Sequence, residues 1–185
     1  MTQPLKPFDY FEPATIEEAV QILSKYGTKA KLLAGGVDLV ARMRRRQAKP
    51  QYVVSILNIP GLDYIQSDKA GLRFGALTTI RSIELSPIVK RDYTALYEAA
   101  SQIASVQVKT MGTAVGNLCV ATPASDIASA LYALCARLKI VGPVSERIIP
   151  IENLYVGVNQ TVLEAGEIVT EVILPSPAPQ TGGAF

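Results

Sequence analysis

The chain has 185 residues, is 49% hydrophobic and 18% charged, and carries a formal net charge of +2 at pH 7. That size supports one good core or two small subdomains, and the balance reads as globular rather than disordered. The charge is too small to point to nucleic acid, and no stretch approaches the roughly 20 apolar residues of a membrane helix. The two cysteines, Cys119 and Cys135, are too few and too far apart for a zinc or iron–sulfur site. Both lie among apolar residues and are expected in the core, in a reducing cytoplasm. Histidine is absent, which removes serine–histidine and cysteine–histidine machinery and disfavours a catalytic transition metal. Redox or group-transfer chemistry here needs a borrowed cofactor.

In chain order, residues 1–13 read as an extended, proline-containing lead-in without a signal-peptide run. Thr15 followed by Glu18 is a capping box, and Ile16, Ala19, Val20, Leu23 and Tyr26 form a helical apolar stripe that Gly27 stops. Ala30 to Ala34 predicts a strand running into Gly35-Gly36, with Asp38 capping a helix from Leu39 to about Arg46. Gln51 to Leu57 is a β-branched strand, so this first unit, residues 1–58, is a small α/β subdomain with parallel pairing. The turn chemistry of Asn58-Ile59-Pro60-Gly61 marks a boundary. The second unit, 59–178, begins with strands Leu62–Ser67 and Gly71–Thr78, then helices Ile80–Val89 and Tyr93–Ala104. A long irregular connection, 109–126, leads to a helix from Asp126 to about Ala136. Strands at Arg137–Val141, Arg147–Ile149 and Glu167–Leu174 follow, and then a proline-rich end at Pro175, Pro177 and Pro179. The fold class is therefore α+β, with a mainly antiparallel second sheet.

Two stretches carry chemistry. In KLLAGGVDL (31–39) a strand ends, two glycines turn, and a helix begins with an acid in its first turn. Successive N–H groups in such a turn form an anion nest, and the helix N-terminus adds roughly half a positive charge. Neither a GxGxxG nor a Walker A pattern is present, and an ordinary strand-to-helix turn fits the same residues. In KTMGTAVGNLCVATPASD (109–126), Gly112 and Gly116 free the backbone, and Thr110, Thr113 and Thr122 offer hydroxyls. Asn117 bonds in both directions, and Asp126 either caps a helix or accepts a ligand hydroxyl. A capped surface loop is the plain alternative. Two such loops in separate subdomains, neither with a plausible nucleophile, suggest a ligand lying in the crevice between them.

The pair AGGVDL (34–39) and TMGTAVGNLCVATPASD (110–126) resembles the FAD-binding subunit of the molybdenum hydroxylases. That family includes carbon monoxide dehydrogenase medium subunits, 4-hydroxybenzoyl-CoA reductase β subunits and the flavin domain of xanthine dehydrogenase. FDYFEPATIEEAV, NIPGLDYI, FGALTTI and GEIVTEVILP extend the resemblance over nearly the whole chain. It implies a vanillyl-alcohol-oxidase (PCMH) type fold with FAD between two subdomains. Leu33, Ala34, Gly35, Gly36, Val37, Asp38 and Leu39 would surround the pyrophosphate and part of the adenosine. Thr113, Gly116 and Asn117 would approach the pyrophosphate and flavin side, with Ala104 nearby and Thr122 in the same loop. Asp126 would hold a ribose or ribityl hydroxyl, and Val169 or Thr170 would present backbone to the isoalloxazine ring. The implied role is electron transfer from a molybdopterin subunit through an iron–sulfur subunit to FAD and on to an external acceptor.

Three departures from the family pattern carry expectations. Val115 stands where a glycine is usual; at positive φ or facing phosphate, it would cost on the order of 1 kcal/mol. Val37 replaces a usual threonine and loses one hydroxyl, worth about 0.5–1.5 kcal/mol. Residues 179–185 read as the start of a C-terminal flavoprotein domain that the sequence does not contain. Its absence, together with Val115, motivates the alternative function, a scaffold or interaction domain lacking stable flavin. A flavin-dependent reductase of the cell-wall UDP-sugar type shares the loops but needs a substrate domain and a proton donor that are not visible here. The basic run Arg42, Arg44, Arg45, Arg46 and Lys49 reads as a solvated helix face, with an iron–sulfur subunit contact as its second reading.

Overall fold

A computed structural model describes residues 4–178 and 181–185, so Pro179 and the first three residues of the lead-in lie outside the described residues. The lead-in is more than an extended arm: Asp9–Phe11 forms strand β1. Helix α1, Ile16–Tyr26, starts where Thr15 accepts from the Glu18 N–H, and the Glu18 carboxylate accepts from the Ala14 N–H at 2.8 Å. It stops at Gly27, whose φ of +54° lets its N–H return to the Leu23 carbonyl. Strand β2, Ala30–Leu33, helix α2, Val37–Arg44, and strand β3, Tyr52–Ser55, complete this unit. The sheet order is β1-β3-β2, all parallel, as the helical crossovers require. Tyr26 stacks on Tyr52 at 3.8 Å and on Phe11 at 5.7 Å, sealing one side of this sheet.

Strands β4, Ile65–Asp68, and β5, Gly71–Gly75, form a hairpin shorter than the sequence pattern predicts. The chain leaves the β5 ladder at Ala76, and Thr78 turns back to bond the Gly75 carbonyl. The expected single helix over 80–89 is two: α3, Ile80–Leu85, and α4, Pro87–Asp92. Ser86 caps the second helix and Pro87, lacking an N–H, occupies its first turn. Then come α5, Thr94–Gln102, α6, Val106–Met111, α7, Ala114–Cys119, and α8, Asp126–Ala133. The connection expected to be irregular over 109–126 is thus largely helical. Glycine and threonine favour loops locally, but Ser105 and Thr113 cap two short helices there.

Strands β6, Arg137–Val141, and β7, Glu146–Pro150, are followed by a small hairpin of β8, Tyr155–Gly157, and β9, Gln160–Thr161, which sequence patterning missed. Strand β10, Ile168–Pro175, closes the second sheet in the antiparallel order β4-β5-β10-β6-β7. Its buried residues Val169, Val172 and Leu174 meet Leu72, Phe74, Leu138 and Ile140 from neighbouring strands, and Leu96, Leu118, Ile127 and Leu131 from the helices. Cys135, expected in this core, is exposed at φ +52°; it sits in the turn between α8 and β6. A smaller hydrophobic cluster links the parallel sheet to later segments, because Leu62, Ala76, Leu77 and Ile168 pack with Val20, Val54 and Ile56.

Candidate functional site

The first glycine turn lies at the end of β2. Gly36, not Asp38, is the N-cap of α2, and its φ of +71° belongs to the left-handed region that glycine occupies without penalty. Asp38 is instead in the first helical turn, with its carboxylate 3.6 Å from Arg42 on an exposed face. Its side chain therefore leaves the capping position to backbone, and the N–H groups of the first turn have no acceptor within the helix. Gly35 makes the closest approach. A Cβ there would sit 1.9 Å from the Met111 carbonyl oxygen and 3.1 Å from the Gly112 Cα. The two stretches picked out in the sequence are therefore in backbone contact, and only glycine permits it.

The second stretch is held from below by the segment Thr78–Ile80. Thr79 and Thr113 form a β-bridge, the Ala114 N–H donates to the Thr78 carbonyl at 3.1 Å, and the Ile80 N–H donates to the Gly112 carbonyl at 2.9 Å. Gly35, Thr79, Thr110, Met111 and Thr113 line one cleft of about 330 Å³, with Leu57, Asp63 and Leu77 opposite. Val37 is exposed, and its Cγ2 lies 3.6 Å from where a Gly112 Cβ would be, so it covers the rim of the same contact. Thr110 faces this cleft, but its hydroxyl donates to the Val106 carbonyl at 2.8 Å.

Thr113 caps α7 by accepting from the Gly116 N–H at 3.0 Å. The Gly116 N–H is thus committed inside the protein, and a Cβ on Gly116 would stand 2.7 Å from the Thr113 hydroxyl. Val115 does not meet the condition that would make it costly. It lies in a helix, outside the residues with positive φ, and is buried against the large core. Its branched side chain anchors α7 where a glycine would add nothing. Ser125, rather than Asp126, caps α8. Asp126 is the first helical residue and is half-buried.

Thr122 belongs to a second, larger cleft of about 560 Å³, where Ser125, Ser129, Tyr132 and Tyr155 also lie. The hairpin residue Asn159 closes onto it by donating to the carbonyl of Ala121, itself at φ +52°. Ala104 is exposed at φ +47° in the link between α5 and α6. Val169 and Thr170 are buried at a bulge in β10, where the Thr170 carbonyl accepts from Ala76 at 2.9 Å. Leu33, Ala34 and Leu39 flank the glycine turn and are half-buried.

One buried ion pair braces this arrangement. Lys109 reaches Glu84 at 2.7 Å and donates to the Ser101 carbonyl at 3.1 Å, tying α6 to α3 and α5. Glu84 also accepts from Arg81 at 2.7 Å. Burial would raise the Glu84 carboxyl, but hydrogen bonds and charge from Lys109 and Arg81 hold it below the ordinary glutamate range. Sequence reading passed over Thr79, Ser125 and Lys109. For the first two the signal was present, since each stands directly before an apolar helical run in an N-cap position. For Lys109 there was none, because its burial depends on three helices meeting.

A glycine turn feeding a helix N-terminus, packed against the Met111–Gly112 backbone beside a cleft, is geometry suited to an anionic group. The chain belongs to the family described as the FAD binding domain in molybdopterin dehydrogenase, which matches residues 6–177. It is 35% identical to the nicotinate dehydrogenase FAD-subunit of Eubacterium barkeri over 98% of its own length and 62% of the relative's. It is also 35% identical to the carbon monoxide dehydrogenase medium chain of Hydrogenophaga pseudoflava, over 96% of this chain and 62% of that one. A solved structure of carbon monoxide dehydrogenase from the same organism, lacking the Mo-pyranopterin moiety, superposes with a TM-score of 0.92 at 33% identity, again over 96% and 62% of the two chains. Quinoline 2-oxidoreductase from Pseudomonas putida 86 gives 0.89 at 28% identity, over 95% and 61%. The chain thus spans about 62% of the length of the curated relatives it matches. FAD is the cofactor of the family; the cleft lined by Gly35 and Thr113, beside a helix start whose cap Gly36 has φ +71° and whose first N–H groups lack an intrahelical acceptor, fits its pyrophosphate. Among the described residues, no helix is long and apolar enough to cross a membrane.

Proposed function

We propose that this chain holds FAD in the crevice between two subdomains, 1–58 and 59–178, in a PCMH-type arrangement. It would act as the electron-transfer subunit of a molybdenum-hydroxylase-type oxidoreductase complex. The observation that carries the reading is the backbone contact between the two glycine stretches, beside which Gly35, just before α2, and Thr113, the cap of α7, line one cleft. Leu33 to Leu39 bind pyrophosphate through the backbone at Gly35, Gly36, Val37 and Asp38. Thr113, Gly116 and Asn117 face the flavin-side phosphate, with Ala104 nearby. Asp126 takes a ribose or ribityl hydroxyl, with Thr122 in the same loop, and Val169 or Thr170 presents backbone to the ring. When bound, FAD supplies the redox step, which no side chain of this chain could supply. The partners are an iron–sulfur subunit and a molybdopterin subunit, and the compartment is the cytoplasm. The family match and the relatives' names as dehydrogenase subunits support this reading.

The helical placement of Val115 removes the residue-level ground for a flavin-free scaffold. The test is direct. Purified protein should be yellow, with absorption near roughly 370 and 450 nm, values characteristic of the cofactor. Colourless protein that takes up no added FAD would sink the proposal.

A further inference from the structure

We infer that Ser125 is a positioning residue that fixes which edge of the Asn117 amide is offered to the dinucleotide; the inference rests on the FAD reading above. Ser125 is 3% exposed and caps α8, where its Oγ accepts from the Ala128 N–H at 3.1 Å. The same Oγ lies 2.5 Å from the Asn117 Oδ1. That separation lies in the usual O–H···O range of about 2.5–3.0 Å and below the N–H···O range of about 2.7–3.2 Å, in keeping with the amide oxygen facing Ser125. The hydroxyl has one proton and two lone pairs: one lone pair takes the Ala128 N–H, and the proton is donated to the Asn117 Oδ1.

The consequence is electrostatic. The Asn117 oxygen is engaged by Ser125, and its NH₂ group has no partner among the described residues and is not among the buried unpaired atoms. The available edge is donor-only, which suits a phosphate oxygen. Were the amide reversed, a lone pair would be offered to the anion and repel it. Asn117 follows Gly116, whose own N–H is committed to Thr113, so at this point the side chain and not the glycine backbone supplies the donor. The Asn-x₇-Ser spacing from 117 to 125 thus acts as one unit, in which a helix cap also sets an amide orientation.

The cap and the orientation are separable by substitution. Glycine serves at an N-cap nearly as well as serine, whereas alanine weakens the cap about fivefold. Both lack the proton donor. Titrating FAD into flavin-free protein should show Ser125→Gly and Ser125→Ala weakened alike, about fivefold to twentyfold, with Ser125→Thr within about twofold of wild type. A near-normal Ser125→Gly beside an impaired Ser125→Ala would mean that only the cap matters and would overturn the inference. The second readout needs no flavin. The Asn117 side-chain carbonyl carbon, assigned by its loss in Asn117→Ala, should move upfield in Ser125→Gly as its oxygen loses a donor. An unchanged carbonyl carbon with shifted NH₂ protons would show the amide reversed and refute the orientation. If wild-type protein binds no FAD, the functional reading fails, and the carbon shift still decides the orientation.

Discussion

Replacing Gly35 with alanine is the most direct challenge to this architecture. The added Cβ would lie 1.9 Å from the Met111 carbonyl oxygen and 2.8 Å from its carbon, where real Cβ contacts essentially never fall under 3.0 Å. The turn after β2 and the end of α6 must therefore separate by at least about 1.1 Å. Every atom in the way is backbone, so no side chain can swing aside. Overpacking of this kind costs about 1–3 kcal/mol, and rigid neighbours argue for the upper end, near 3 kcal/mol or roughly a hundredfold in the folding constant. A domain with an ordinary stability of about 5–15 kcal/mol remains folded. The same displacement widens the crevice, so FAD affinity should fall by more than about tenfold. Gly61→Ala is the control: its φ is +78° with nothing within 4 Å, so it should show only left-handed strain of about 1–2 kcal/mol and normal flavin binding. Urea unfolding and flavin titration read both quantities. Gly35→Ala within about 0.5 kcal/mol of wild type, with unchanged FAD affinity, would show that the two stretches are not in contact.

Other consequences follow from the same geometry. Glu84→Gln leaves the Lys109 ammonium buried with its counter-charge gone and should cost about 3–5 kcal/mol by chemical denaturation, whereas Lys109→Met should cost less, because Arg81 still pairs with Glu84. Because the folded Glu84 carboxyl sits below its ordinary value, its contribution is present above the ordinary glutamate range and is lost as pH falls through the lowered value. The Glu167 carboxyl, lowered by its hydrogen bond to Arg147, adds to the same acid limb, which Glu84→Gln should flatten if the assignment is right. Burial pushes the Cys119 thiol up to about 12 while Cys135 is exposed, so iodoacetamide should label Cys135 in native protein and Cys119 only after unfolding. Equal labelling rates would contradict this. Asp126→Ala should weaken FAD by roughly 1–3 kcal/mol without lowering stability comparably, since Ser125 carries the cap; an unchanged titration would remove Asp126 from the site.

Much of this was legible from local chemistry. The Thr15 cap, the Gly27 stop, the parallel first unit and the long apolar β10 are fixed by periodicity, capping residues and breakers that act within a few neighbours. Gly35 and Gly36 could be singled out for the same reason, since a strand running into two glycines and a helix is a local pattern. Other features depend on partners far along the chain. Whether 109–126 is loop or helix turned on Ser105 and Thr113 finding N–H groups to cap, while Thr78 and Ile80 held the ends. Val115 read as a fault next to a glycine pattern, and only its burial in the large core makes it an anchor. The Ser125–Asn117 bond, the buried Lys109 and the contact that forbids a Cβ at Gly35 each join residues that the sequence does not mark as neighbours. The sequence by itself determined which backbone could bend and where helices could begin. Tertiary packing decided which of those bends face one another, because approach between distant segments depends on the summed burial of both cores.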